Sequence, residues 1–552
     1  MRLPALRAAL LATALAAGSA VVAVTPAAPA AALANGLALT PPMGFNDWNA
    51  VGCGVSESFI KQTADFFHTH VLPNGKTLQQ AGYEYVNIDD CWAMPTRDAK
   101  GNLVPNPTKF PDGISGTADY VHSLGLKLGL YNDSGTMTCS SSGFPGSFGH
   151  EAQDALQFAT WHVDYLKDDN CKQASGQDTR AATLARYTAM RDGLAAAQKQ
   201  TGQAIVFSIC QKGDNGINTE DWSPSVGNLW RTTSDIHPDW AHLDANIDKN
   251  IPLAQYAGPG AWNDPDMLEI GNSGLTATED QTHMSMWAEM AAPLLIGTKL
   301  TTASQAALNI LSNTDVIAVD QDSLGRQGVQ ISDNSGLRVL AKPLADGDVS
   351  VALFNETGST ATISTTASAI SIGSSSSYTL KDLWSKTVKT TSGAISASVP
   401  SHGTVLLRVS RAGGTAPGTV YQAESGTNTL TGNAKVISCP ACSGGSRVGY
   451  LGKQSSGTGS MTFTGVAAVG GAGVYQVDFA YTNGSTAART AQISVDGGPP
   501  TTATFAPTGA YTTPGSQTVA LTLAAGANTI TVANPTAASP DLDDITVPAT
   551  HG

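Results

Sequence analysis

Between Leu37 and Gln321 the chain repeats one pattern. A short apolar run stops abruptly in polar and ionisable side chains, and a segment of helical spacing follows. The clearest case is Asp164-Tyr165-Leu166-Lys167-Asp168-Asp169-Asn170-Cys171. Its first half suits a short buried strand, and its second half is too polar for a strand interior. Taken alone it reads equally well as a solvated loop with a charged tip. The same ending recurs, however, after Met43–Asn46, Tyr85–Ile88, Lys127–Tyr131, Leu229–Arg231 and Ala261–Asn263; Ile205–Ile209 and Leu294–Ile296 complete eight candidate strands. Eight strand–helix alternations predict a (β/α)8 barrel over residues 35–325, with its chemistry where the strands stop. An open doubly wound sheet is the alternative, weakened because no strand leads into a glycine fingerprint for a dinucleotide.

The intervening segments read as helices. Ser56 is a plausible N-cap for a helix with Phe59, Ile60, Thr63, Phe66 and Phe67 on one face. Leu184, Tyr187, Arg191 and Leu194 recur at turn spacing, and Glu279 to Ala292 is apolar enough for a buried outer helix. The chain has 552 residues, more than the roughly 250–300 that one core accommodates. After Gly325 short alternating runs separated by Ser, Thr and Gly predict an antiparallel β domain over 326–410. Residues 411–418 have linker composition, and 419–549 predict a second β unit, a jelly-roll sandwich.

Residues 1–34 read as a secretory signal peptide: Arg2 and Arg7, an alanine-rich apolar run from Ala8 to Val24, then Ala32-Leu33-Ala34 before a cleavage site. No later run is long enough to span a bilayer, so the expected product is secreted and extracellular, without a membrane partner. Export makes disulfides plausible among the seven cysteines. Cys439-Pro-Ala-Cys442 reads as a small local disulfide rather than a redox or zinc motif, because no second pair accompanies it. Cys210 is expected to be a buried free thiol. The net charge of -14, with only 13% charged residues, excludes the basic stripe that nucleic acid requires. A neutral ligand such as a sugar fits better.

Several strand ends carry carboxylates beside tryptophans: Asn46-Asp47-Trp48, Asp89-Asp90-Cys91-Trp92, Lys167-Asp168-Asp169, Arg231 to Asp235, and Trp262 to Met267. Carboxylates accept hydrogen bonds from hydroxyls and aromatic faces pack on the C–H face of a sugar ring. The same acids are alternatively calcium ligands, but their spread over many strands matches no dedicated loop. Glycoside hydrolysis needs one ionised and one protonated carboxyl group across the scissile bond. Lys167 would help keep Asp169 ionised as a nucleophile, and Asp235 is a reasonable acid. Other aspartates compete for both roles.

Pro41-Pro-Met-Gly-Phe-Asn-Asp-Trp48, Asn87-Ile-Asp-Asp-Cys-Trp92, Lys127-Leu-Gly-Leu-Tyr131, Asp164 to Cys171, Trp230-Arg-Thr-Thr-Ser-Asp235 and Trp262-Asn-Asp-Pro-Asp-Met-Leu268 resemble glycoside hydrolase family 27 in family order. The resemblance spans about Leu37 to Arg408 and implies a secreted, retaining α-galactosidase that removes terminal α-D-galactosyl residues without a catalytic cofactor. It implies Asp169 as nucleophile and Asp235 as acid/base. It further implies Asp89 and Asp90 on the galactose 4- and 6-hydroxyls, Trp48 beneath the ring, Tyr131, Lys167 and Arg231 as further pocket residues, and Cys53–Cys91 and Cys139–Cys171 as disulfides. The retaining geometry would set the two catalytic carboxyls ~5–5.5 Å apart.

Two departures stand out. Asp168 replaces an aromatic residue before the nucleophile, and strand alternation predicts that it points away from the pocket. Cys210-Gln211-Lys212 replaces Cys-Glu-Trp; Gln211 is expected on the sugar 2-hydroxyl, where it leaves no room for an N-acetyl group. Asp90 argues against a β-L-arabinopyranosidase, since a pentopyranose lacks the 6-hydroxyl. The α-N-acetylgalactosaminidase activity of the family and a non-catalytic sugar-binding protein are the remaining alternatives.

The C-terminal unit opens Tyr421-Gln-Ala-Glu424 and closes Asp541-Leu-Asp-Asp-Ile-Thr-Val547, a framing that resembles carbohydrate-binding module family 35. That resemblance implies a carbohydrate ligand, and Glu424 and Asp543 as ligands of a structural calcium. The bland alternative is two surface acids on neighbouring strands.

Overall fold

The computed structural model describes residues 32–213, 216–372, 375–411, 419–468 and 471–548. Residues 1–31 of the expected signal peptide and 412–418 of the expected linker lie outside them. Strands β1 (Met43–Asn46), β2 (Tyr85–Ile88), β3 (Lys127–Asp133), β4 (Tyr165–Asp169), β5 (Val206–Cys210), β6 (Leu229–Arg231), β7 (Trp262–Asp264) and β8 (Leu294–Ile296) form one parallel sheet. Its ends meet beyond β7: Leu268 N–H donates to Leu295 O, and Gly297 N–H donates to Leu268 O, both at 2.8 Å. The sheet is a closed barrel.

Period-two alternation divides each strand between two faces. Tyr85, Tyr165, Val206, Leu229, Trp262 and Leu295, near the strand starts, form an apolar cluster of their own. It plugs the end of the barrel opposite the strand termini. The alternate residues Val86, Leu128, Leu166, Phe207 and Trp230 belong instead to the large core beneath the helices. Gly129 is required on the inner face, because a Cβ there would lie 1.9 Å from Asn87 Oδ1.

One expectation about β4 fails. The strand does not stop at Lys167 but runs through Asp168 and Asp169, in register with Asn132 and Asp133 on one side and Ile209 and Cys210 on the other. The backbone ladder tolerates the polar pair because the strand is ending at the barrel mouth. The helix Glu57–Thr69 starts as expected, with Phe59 N–H donating to Ser56 Oγ at 3.3 Å.

Helix Ala277–Glu289 is buried along most of its length because the next domain covers it. Lys342 Nζ donates to Ala288 O, Ser350 Oγ to Glu289 Oε2, and Trp384 Nε1 to Ser285 Oγ. That domain is a six-stranded antiparallel sheet backed by the ribbon Ala361–Thr366/Ala394–Val399. Two further strands were not expected: Val388–Thr391 is exposed and has no apolar face, whereas Ala394–Val399 alternates and buries Ile395 and Val399 in the core of this domain.

The C-terminal unit is a two-sheet sandwich, each sheet of six strands. Inward residues such as Phe463, Tyr475, Phe479, Ile493, Phe505, Leu521, Ile530 and Ile545 interdigitate between them. No described helix is long and apolar enough to cross a membrane.

Candidate active site

At the C-terminal mouth of the barrel lies a pocket of about 520 Å³. Trp48, Asp89, Asp90, Tyr131, Lys167, Asp169, Arg231 and Asp235 all line it. Alternation explains how β4 contributes. Tyr165, Lys167 and Asp169 share the inner face, and Leu166 and Asp168 the outer one.

Asp169 is buried, with Oδ1 accepting from the Asn170 N–H at 2.9 Å and Oδ2 from the Tyr131 hydroxyl at 3.3 Å. Lys167 Nζ donates to Asp89 Oδ2 at 2.7 Å and lies 5.2 Å from the centre of the Tyr131 ring. Burial works against the Lys167 charge, but the Asp89 and Asp169 carboxylates outweigh it and hold the ammonium firmly protonated. Asp89 also accepts from Asn46 Nδ2 and from the Asp90 N–H. Asp90 is clamped by the Cys91 and Ser140 N–H groups at 2.6 and 2.9 Å, although burial still raises its carboxyl above the ordinary range. These carboxylates are therefore fixed before a ligand arrives.

Disulfides Cys53–Cys91 and Cys139–Cys171 tie down the loops that follow Asp90 and Asp169, and Cys439–Cys442 closes the expected small loop. Lys109 Nζ adds hydrogen bonds to Cys53 O and Cys91 O. Cys210 is a buried free thiol.

Asp168 points away from the pocket, as alternation predicts. It is fully buried, and neither carboxylate oxygen has a hydrogen-bond partner among the described residues. Burial first, then Asp133 and Asp169, push its carboxyl far above the usual range. Burial thus disfavours a charge on Asp168 beside Asp169.

Gln211 corrects the second expectation. It is fully buried and does not line the pocket; its Oε1 accepts from Thr219 Oγ1 at 2.7 Å and from the Gly213 N–H at 2.9 Å. Cys210 takes the inner face at the end of β5, so the following side chain turns outward. Lys212, with φ 64°, swings back over the pocket instead. Its Nζ meets Asp235 Oδ1 at 2.7 Å.

Asp235 is the exposed one of the two assigned catalytic carboxyls. Arg231 Nη2 also reaches Asp235 Oδ1, at 3.2 Å, and is itself anchored on Asp266 Oδ2 at 2.8 Å. Burial raises the Asp235 carboxyl, but the Arg231 and Lys212 cations outweigh it and hold it well below the usual range. Negative neighbours or a dry pocket would raise it and favour its role as an acid. The structure supplies two cations instead.

Further lining residues carried no assignment from sequence. Asp266 lay within a recognised strand-end motif, and its role emerges only from its bridge to Arg231. Glu269 accepts from Asn49 and Asn272 side chains and is pushed up to about 7, chiefly by burial. It sits on the connection after β7, which has no periodicity to mark it.

Residues 40–322 match the family model described as Alpha galactosidase A. The chain belongs to that α-galactosidase family. Residues 334–409 match its C-terminal β-sandwich domain. An α-galactosidase of Oryza sativa subsp. japonica is 47% identical over 67% of this chain and 85% of the relative. One from Coffea arabica is 47% identical over 67% and 93%. Among solved structures, α-galactosidase I from Mortierella vinacea shares 33% identity with a TM-score of 0.64, covering 69% of this chain and 99% of that one. The Saccharomyces cerevisiae α-galactosidase with raffinose shares 30% with a TM-score of 0.61, covering 68% and 98%.

The C-terminal unit departs from expectation. Residues 460–547 match a model described as Alpha-galactosidase, CBM13 domain, and family 35 is not supported. The framing by Glu424 and Asp543 reports two adjacent strands of a sandwich, Thr419–Gln422 on Asp541–Val547, a feature of the fold rather than of one module family.

Proposed function

We propose that this α-galactosidase family member is a secreted exo-enzyme that hydrolyses terminal α-D-galactosides with retention. The observation that carries the reading is a single pocket that unites Asp169 and Asp235, from different strand ends, with a prearranged Asp89–Lys167 pair and the indole of Trp48. Asp89 and Asp90 offer acceptors to the 4- and 6-hydroxyls, and a sugar unable to meet them leaves buried acceptors unpaired. Asp169 attacks the anomeric carbon as Asp235 delivers its proton to the departing oxygen. Asp235 then takes a proton from water, which releases α-galactose and frees Asp169. The three disulfides favour an oxidising destination. The p-nitrophenyl glycosides of α-galactose, α-N-acetylgalactosamine and β-L-arabinopyranose test the reading side by side. The galactoside should be turned over at least about tenfold faster than either rival; preference for a rival, or no turnover at all, would reject it.

Lys212 makes a sharper prediction. The alkaline limb of kcat/KM reports the proton on the acid of the free enzyme. Two cations that hold Asp235 low place this limb at low pH. Lys212→Met removes one of them, so the Asp235 carboxyl rises and the limb should move up by about one pH unit, discounted for the exposure of the pair. An unmoved limb would exclude Lys212 as a control on the acid.

For the C-terminal unit the proposal is a structural calcium held by Glu424 and Asp543. Glu424 Oε2 and Asp543 Oδ1 are buried without hydrogen-bond partners among the described residues, and burial with mutual repulsion raises the Glu424 carboxyl. Burial and Asp543 also push Asp544 up to about 6. Two unsatisfied hard oxygens suit a calcium ion. Chelation should lower the melting temperature of the C-terminal transition by several degrees, calcium should restore it, and Asp543→Asn should abolish the response. Indifference to chelator would rule the ion out.

A further inference from the structure

The catalytic scheme leaves unused a cleft of about 270 Å³ on the C-terminal sandwich, where Tyr450, Tyr511, Arg447, Arg489, Gln454 and Asp541 converge. Isolated exposed aromatics need no explanation, but these two face the same cleft and both are held in place. Tyr450 remains 44% exposed just past the strand Ser446–Gly449. It adopts φ 62°, unusual for a residue with a side chain, and carries the Lys435 ammonium 4.5 Å from its ring centre. Tyr511, 36% exposed, packs so closely on Gly484 that a Cβ there would lie 2.4 Å from the ring. The Arg489 guanidinium lies 5.3 Å from the Tyr511 ring centre and donates to its hydroxyl.

Arg447 and Asp541 complete the lining. Arg447 Nε donates to Asp541 Oδ2 at 2.9 Å, with both side chains nearly buried. A buried ion pair seldom stabilises a fold more than apolar packing would, so its presence in a cleft edged by aromatics points to recognition. Aromatic faces take the C–H face of a pyranose, and a fixed guanidinium–carboxylate pair supplies a donor and an acceptor to neighbouring hydroxyls. The ion pair at the centre of the cleft is neutral as a unit and presents donors and an acceptor to hydroxyls. Arg447 is neutralised by Asp541, and Arg489 is engaged by the Tyr511 hydroxyl and the Ser539 carbonyl.

We infer that the cleft between Tyr450 and Tyr511 binds a pyranosyl unit of a neutral polysaccharide, so that this unit holds the enzyme on polymeric substrate. The inference rests on the reading of the C-terminal unit as carbohydrate-binding. Native affinity electrophoresis of the full chain tests it, with galactomannan, arabinogalactan or polygalacturonate cast in the gel. Wild type should be retarded by at least one neutral polymer and not by polygalacturonate. Tyr450→Ala and Tyr511→Ala should each weaken that retention about fivefold, the equivalent of roughly 1 kcal/mol for a lost aromatic face. Their hydrolysis of p-nitrophenyl α-galactoside should stay unchanged. Equal retention of the variants and wild type would overturn the site while sparing the module. Absence of retention by either neutral polymer would overturn both, and retention by polygalacturonate alone would overturn the ligand class.

Discussion

Asp169→Asn should fall by on the order of 10^4-fold or more in kcat on p-nitrophenyl α-galactoside, while the protein keeps its fold. The magnitude follows from the role, since an amide cannot form the glycosyl ester and the two-step route closes. The fold is expected to survive because asparagine is isosteric: its oxygen still accepts from the Asn170 N–H, and its amide NH2 can donate to the Tyr131 hydroxyl oxygen, the two groups that Asp169 engages. The substitution also leaves the Asp89–Lys167 pair and both bracing disulfides intact. Galactose binding should therefore outlast catalysis, and calorimetry should still detect the sugar. A slow-reacting fluorinated galactosyl donor should trap an ester on the wild type, and peptide mass spectrometry should place it on Asp169. An ester on Asp133, Asp235 or Asp266 would bring down the assignment, as would residual activity within tenfold of wild type.

What could be read before any coordinates depended on periodicity. Strands β1, β2, β6 and β8 have the bounds that the apolar runs suggest, because a barrel strand is a short apolar stretch with an abrupt polar end. The same alternation placed Asp168 outside the pocket. It also holds the reason that Gln211 fails as a sugar contact, for Cys210 already occupies the inner face of β5. At this position strand phase, not motif position, decides where the side chain points. Lys212 was harder to anticipate, since its entry into the pocket depends on a left-handed backbone conformation that a lysine gives no hint of. The Arg231–Asp266 bridge joins residues from β6 and the turn after β7, and no local pattern pairs them. In the C-terminal sandwich, Tyr450, Tyr511 and Asp541 are distant in sequence, and only the folded sheets bring them to one cleft.

Asp235→Ala should separate substrates by their leaving groups. General acid assistance is worth ~10²–10⁴-fold when the departing oxygen is a poor leaving group. Raffinose, whose galactose leaves from a sugar alkoxide, should show that full loss in kcat/KM. p-Nitrophenyl α-galactoside departs as a stable phenolate, so its first step should fall far less, by about tenfold. Its second step then lacks a base, and the covalent intermediate should accumulate as a burst of nitrophenol followed by slow turnover. Azide, which needs no base, should relieve that block and yield α-galactosyl azide. The position of Asp235 supports such rescue, because its side chain is 61% exposed at the pocket mouth, where truncation opens space rather than a sealed void. Truncation also leaves Arg231 held by Asp266, so the loss should be chemical rather than structural. Equal losses on both substrates, with no burst, would mean that Asp235 only positions the sugar, and the acid would have to be sought among Asp266 and Glu269, the remaining lining carboxyls nearest in sequence to β7.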